Sequence, residues 1–159
     1  MNSQQLLDYI IKPTLEYMGG NYNSKNAQML LLSTAAIESK CGYYIKQING
    51  PALGIWQMEP ATHEDIWRNC DALQGDTGDI EVLTNPAFEF DEDLIVSPTY
   101  ACAMARLKYS MDTAPLPHYK DIAAIYREYK RIYNTHLGKS TYEKFEKAYF
   151  DCGLDKVVF

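Results

Sequence analysis

Apolar residues recur at helical spacing along most of the chain, and no convincing set of alternating strands stands out. Ser3 can cap a first helix carrying Leu6, Leu7, Ile10 and Ile11, with Pro13 kinking or breaking it and Gly19-Gly20 stopping it. Ser24 can cap a second helix that runs to about Lys40, with Gly42 placed to end it. The middle of that helix, Met29 to Ile37, has hardly any polar face, which predicts a central, buried element. Residues 43–60 are irregular and rich in Gly, Pro and aromatic residues, with room for a short hairpin. Thr62 can cap a short helix, with Asp65 in the capping-box position three residues later. The acidic stretch from Asp71 to Asp93, with Gly75, Gly78 and Pro86, reads as a surface excursion. Pro98 opens a mostly apolar helix that Pro115 and Pro117 end, and two more helices are expected over about 119–134 and 140–151 around Gly138. The expectation is a mainly α chain forming one domain over residues 1–159.

Composition narrows the classes. A chain of 159 residues buries roughly 70% of its unfolded surface, enough for a real core. No apolar run approaches the ~18 residues of a membrane span. Asp+Glu 21 against Lys+Arg 15 gives a net charge of -6, which argues against nucleic acid as a partner. Cys41, Cys70, Cys102 and Cys152 are widely spread, so free thiols in a reducing compartment are expected, with no metal and no cofactor. The first residues, Met1 to Gln5, lack the basic and apolar regions of a secretion signal, so synthesis in a cytoplasm is expected. The 13 tyrosines exceed what a core of this size requires.

Glu38 is out of place on this pattern. It follows Ala35-Ala36-Ile37 in the last turn of the helix predicted to be buried. Desolvation disfavours a carboxylate there, and the negative end of the helix dipole disfavours it again. Both raise its pKa, which suits a general acid working near neutral pH. The alternative is an ordinary charge, paired with Lys40 or Arg68 or reaching solvent from the helix end.

A loop of small residues follows, from Gly50 through Gly54-Ile55-Trp56-Gln57-Met58-Glu59 to Pro60-Ala61-Thr62. Gly54 lets backbone approach a ligand closely. Gln57 can donate to and accept from sugar hydroxyl and acetamido groups. Trp56 and the tyrosines offer flat faces for sugar rings. The combination suits an extended sugar polymer.

Glu38-Ser39, then Gly54-Ile55-Trp56-Gln57-Met58 and Pro60-Ala61-Thr62, resemble in order and spacing the lytic transglycosylase and goose-type lysozyme superfamily. More narrowly, Gly50 to His63, and Tyr129 to Lys139 with Phe145, look like the lysozyme-like proteins of tailed bacteriophages. The resemblance spans most of residues 27–150 and is diffuse between 70 and 95. It implies a single lysozyme-like domain with a buried central helix and a short irregular or hairpin segment forming one wall of a cleft. It also implies Glu38 as the catalytic acid/base, with Ser39, Gly54, Trp56, Gln57 and Met58 at the substrate. The superfamily's late Ala-Tyr-Asn-x-Gly block is met here only by Ala123-Ala124-Ile125-Tyr126-Arg127-Glu128, which keeps the tyrosine without the Asn or Gly. Tyr126 is one choice for the tyrosine beside Glu38 and Tyr133 is the other; both also suit core packing.

The reaction implied is cleavage of the β-1,4 bond between N-acetylmuramic acid and N-acetylglucosamine in peptidoglycan, with Glu38 protonating the leaving oxygen. A hydrolase needs a second carboxylate; a lytic transglycosylase needs none, because a hydroxyl of the muramic acid attacks. Glu59, Glu64 and Asp65 lie nearest the Gln57 loop, with Asp76 and Asp79 farther along, and each equally suits a surface or helix-start charge. His63 could assist as an acid/base partner, and Arg68, Lys130 and Arg131 could meet the substrate's carboxylates. Tyr43, Tyr44, Tyr126, Tyr129 and Tyr133 fall near these blocks, so the tyrosine excess reads as cleft lining. The expected partners are peptidoglycan glycan strands, with a holin for release at lysis or virion proteins for delivery at infection. The competing readings are a catalytically silent virion structural or wall-binding domain that keeps the fold, and a helical interaction module.

Overall fold

The computed structural model describes residues 1–75, 78–83, 89–134 and 138–159, the side chains of 78 and 79 excepted. Within these it is mainly helical and has no strand. The first helix starts as α1 (Ser3–Leu6), with Asn2 rather than Ser3 as its cap; the Asn2 side chain accepts the Gln5 N–H. It is not broken at Pro13. The Lys12 N–H reaches back to the Leu7 carbonyl, so the chain widens into a π-turn over Leu7–Ile11 and continues as α2 (Lys12–Met18). The wider turn accommodates a residue that lacks an N–H and crowds the preceding turn.

Helix α3 (Lys25–Ser39) is capped by Ser24, whose Oγ accepts the Ala27 N–H at 3.1 Å. It is buried on nearly every side, as its missing polar face predicts. Its end differs from the expectation: Lys40 and Cys41 take positive φ (51° and 55°) before Gly42, so the left-handed turn falls on Lys40 itself. Helix α4 (Pro60–Asn69) starts three residues earlier than a Thr62 cap allows, with Glu59 at the cap and Pro60 in the first turn. Short helices α5 (Gly78–Glu81) and α6 (Asp93–Val96) follow. The acidic stretch is more than a surface excursion, because Leu73 and Ile80 are buried in the core.

Helix α7 (Pro98–Ser110) is capped by Ser97 and buried from Tyr100 to Leu107; it stops at Ser110, well before Pro115. Asp121 caps α8 (Ile122–Glu128), which passes without a break into a second π-turn, Tyr129–Asn134. Thr141 caps α9 (Tyr142–Asp151). Helix α3 packs against α7 and α9, and the buried apolar residues from Leu6 to Leu154 form one continuous cluster.

Between α3 and α4 the backbone makes a minimal antiparallel ribbon. Lys46 bridges Leu53, and Leu53 and Met58 exchange N–H···O bonds of 2.9 Å on both sides. Chain ends meet as well: the Gln4 side chain donates to the Val158 carbonyl and accepts the Val158 N–H. All four cysteines are free thiols, three of them buried. Among the described residues, no helix is long and apolar enough to cross a membrane.

Candidate active site

The end of α3 and the loop after the ribbon are joined by one buried hydroxyl. Ser39 Oγ donates to the Ile55 carbonyl, 16 residues on, and accepts the Gly42 N–H at 2.8 Å. Ser39 is fully buried, so it fastens the loop to the helix and has no face for substrate. Gly54, at φ +75°, makes a close approach, but to protein: a Cβ there would stand 2.0 Å from the Leu94 carbonyl oxygen. Trp56 is 1% exposed and donates Nε1–H to the Leu31 carbonyl at 2.9 Å, so its ring packs the core. These three residues hold the site's walls, with their side chains or close approaches turned to protein.

The walls enclose a cleft of about 750 Å³. Glu38 lines it together with Gln47 and Ala52 of the ribbon and Gln57, Met58 and Glu59 of the loop. Thr62 of α4, Lys108 of α7, and Tyr133, Asn134, Gly138 and Lys139 complete it. The ribbon thus forms part of the cleft wall. Gln57 sits at a positive φ of 45°, a conformation a side chain tolerates only where its surroundings impose it. Its Nε2 and its backbone N–H both donate to the Gly54 carbonyl, at 2.7 and 3.1 Å. Among the described residues Gln57 Oε1 has no partner, which leaves an acceptor at the cleft.

Glu38 is half-buried, and its pKa is pushed up to about 7. Burial is the main cause; Tyr129 opposes it and the nearby Glu59 carboxylate adds to it. Tyr129 Oη–H donates to Glu38 Oε1 at 2.7 Å. Neither expected cation neutralises the carboxyl. Lys40 is exposed with its ammonium 5.9 Å from the Tyr44 ring centroid, and Arg68 pairs with Glu64. A carboxyl that exchanges its proton near neutrality, at the wall of an open cleft, can serve as a general acid and then as a base.

The tyrosine beside Glu38 is Tyr129, which the family block did not single out. Tyr126 points elsewhere, packing on Tyr142 and Phe145 with its hydroxyl toward the Ser140 carbonyl at 3.4 Å. Tyr133 does line the cleft, donating to the Trp56 carbonyl at 2.8 Å. Its ring stacks between those of Tyr109 and Tyr129, at centroid distances of 5.5 and 6.3 Å. Tyr43 and Tyr44 are exposed on the ribbon and do not line the cleft, so the tyrosine excess is only partly cleft lining.

Of the expected second carboxylates among the described residues, Glu59 is the one that lines the cleft. Glu64 pairs with Arg68, and Asp65 accepts the Asn69 amide at 2.7 Å. Asp76, the Asp79 side chain and Thr135 to Leu137 lie outside the described residues. Lys130 is filled by Asn134 Oδ1 and the Gly138 carbonyl, at 2.7 and 2.6 Å. Arg131 binds Asp112 and Glu128. Lys108 and Lys139 are instead the cations of the cleft. Lys108 had little signal in sequence, since Arg106 is a second charge in the same helix.

His63 belongs to a different, buried network. Its Nδ1 meets Asp91 Oδ1 at 2.8 Å and its Nε2 meets Tyr100 Oη at 2.6 Å. Trp67 Nε1–H donates to the same Tyr100 oxygen at 2.9 Å, which leaves the tyrosine's proton for Nε2 and the imidazole proton for Asp91. Burial lowers the His63 pKa despite Asp91. Among the described residues, no three metal-ligating side chains gather. No family model, curated protein or solved structure matches this chain.

Proposed function

We propose that the protein cleaves the β-1,4 bond between N-acetylmuramic acid and N-acetylglucosamine in peptidoglycan, within a lysozyme-like domain of bacteriophage type. One observation carries the reading: Glu38 holds a carboxyl with a pKa of about 7 at an open cleft, on the helix end where the resemblance expects the acid. Near neutral pH a large fraction of it is protonated and can give its proton to the glycosidic oxygen as the bond breaks. The carboxylate left behind faces an oxocarbenium-like sugar and stabilises it through a partly desolvated path. Tyr129 Oη–H then hydrogen-bonds the anion it helped to position.

Glu59 is the residue of this cleft suited to activating water, which would make the enzyme a hydrolase. Attack by the muramic acid's own hydroxyl would make it a transglycosylase without help from Glu59. The products separate the two routes, since hydrolysis leaves reducing ends and the lyase leaves anhydro ends. In the organism the reading requires access to the wall, from the virion or through a holin's pores. A silent wall-binding domain would have no use for the raised carboxyl.

The test is digestion of purified peptidoglycan by the wild type and by Glu38→Gln, with muropeptides identified by mass spectrometry. A general acid is worth about 10²–10⁴ in rate, so the variant is expected to lose at least about 100-fold. Equal digestion by the two proteins would remove Glu38 from the mechanism. No digestion by the wild type would overturn the reading.

A further inference from the structure

We infer that Lys108 grips a carboxylate of the glycan, so that the cleft selects an acidic strand over a neutral one. This deepens the function proposed above and rests on it for the identity of the glycan. Lys108 stands in the last turn of α7, between the buried Leu107 and Tyr109, and its side chain is 23% exposed at the cleft. An ammonium carries three donors. The nearest carboxylate oxygen, Asp65 Oδ2, lies 3.9 Å away, too far for a hydrogen bond. Asp65 is itself engaged through Oδ1 by Asn69.

Other lysines in this chain are better served. Lys12 lies 2.7 Å from Asp8, and Lys130 has two acceptors within 2.7 Å. Among the described residues, Lys108 Nζ has no hydrogen-bond acceptor. A cation partly withdrawn from water with its donors open is stabilised by whatever anion the cleft admits. Glu38 and Glu59 repel anions at the same cleft, and Lys108 offsets them there. Lys139, the other cleft cation, is exposed to water.

A muramyl glycan offers carboxylates from two sources. The lactyl group carries one when the sugar is bare, and the peptide stem carries them when it is substituted. A chitin-type oligomer carries none. Binding is measured by calorimetry in the full-length Glu38→Gln protein, which holds ligand without turning it over. Three ligands of equal length are compared: glycan with peptide stems, the same glycan stripped of them by an amidase, and a chito-oligosaccharide.

The Glu38→Gln protein is expected to bind at least one acidic glycan about tenfold more tightly than the neutral one. Adding Lys108→Gln should shrink that preference to within about twofold, while Lys108→Arg should keep it. The stripped glycan against the substituted one tells which carboxylate is held. A missing preference, or one that survives Lys108→Gln, overturns the inference while leaving Glu38-dependent cleavage intact. Preference without any cleavage by the wild type would instead overturn the enzyme and leave carboxylate recognition standing.

Discussion

Holding a glutamate at a pKa of about 7 weakens the folded state whenever that glutamate is ionised. The gap between about 7 for Glu38 in the fold and 4.5 for a free glutamate corresponds to about 3 kcal/mol. Because the folded value is the higher one, this burden is absent below about pH 4.5. It grows as pH rises through 7 and is complete above. Glu38→Gln, which stays neutral, is expected to match the wild type at pH 4 and to exceed it by about 3 kcal/mol at pH 8, by urea denaturation. Parallel pH profiles for the two proteins would mean that Glu38 is not desolvated. This prediction stands apart from any activity. Glu38 was readable from sequence because a charge interrupts an apolar run at a helix end. Its partner was not: Tyr126, Tyr129 and Tyr133 are spaced by three and four residues and share one face of a regular helix, so periodicity cannot rank them. The family resemblance implies Ser39 and Trp56 at the substrate, whereas burial turns both side chains inward, which residue type alone does not show.

At the scale of elements, helix starts with strong local chemistry were legible: Ser24 before α3, and Ser97-Pro98 before α7. Ends set by backbone geometry were not. Pro13 signalled a disturbance of the first helix but not that it would take the form of a π-turn, and the left-handed turn on Lys40 and the second π-turn have no single residue that signals them. The π-turn at Tyr129–Asn134 matters to the site, because it carries both Tyr129 and Tyr133 toward α3 and the loop. The ribbon is the weakest element, with a handful of backbone bonds and no extended pairing. Its position depends on Gly54 lying flat against Leu94. Gly54→Ala adds a Cβ at 2.0 Å from a carbonyl oxygen and a strained φ of +75°, and neither can relax without moving the loop. A loss of about 3 kcal/mol or more is expected, read as a drop in thermal midpoint. A change under about 1 kcal/mol would show that the loop and α6 are not in contact.

For the whole molecule, the net charge of -6 means that the wall binding proposed above would depend on local cations, among which the sequence offers Arg68, Lys130 and Arg131. Arg68 pairs with Glu64 on the surface of α4, Lys130 meets Asn134 and the Gly138 carbonyl, and Arg131 holds Asp112 and Glu128, so each already has a partner within the chain. The same holds for His63, which spacing alone could not assign. Its network ties α4 and α7 to the segment around Asp91. With its folded pKa lowered from 6.5, His63 binds its proton less readily in the fold than in the unfolded chain. Its contribution to stability is therefore complete above about pH 6.5 and is lost as pH falls through the folded value. Measured against His63→Gln, the wild type should lose stability on acidification from pH 6.5, a difference superimposed on the gain that protonation of Glu38 brings to both proteins. Urea midpoints that keep a constant separation between the two proteins across that range would remove His63 from the pH dependence. Finally, the paired bonds between Gln4 and Val158 bring the two ends of the chain edge to edge. The fold is in this respect nearly a ring. A short linker from residue 159 to residue 1 would remove freedom from the unfolded chain while asking little of the folded one, so circular permutants are within reach.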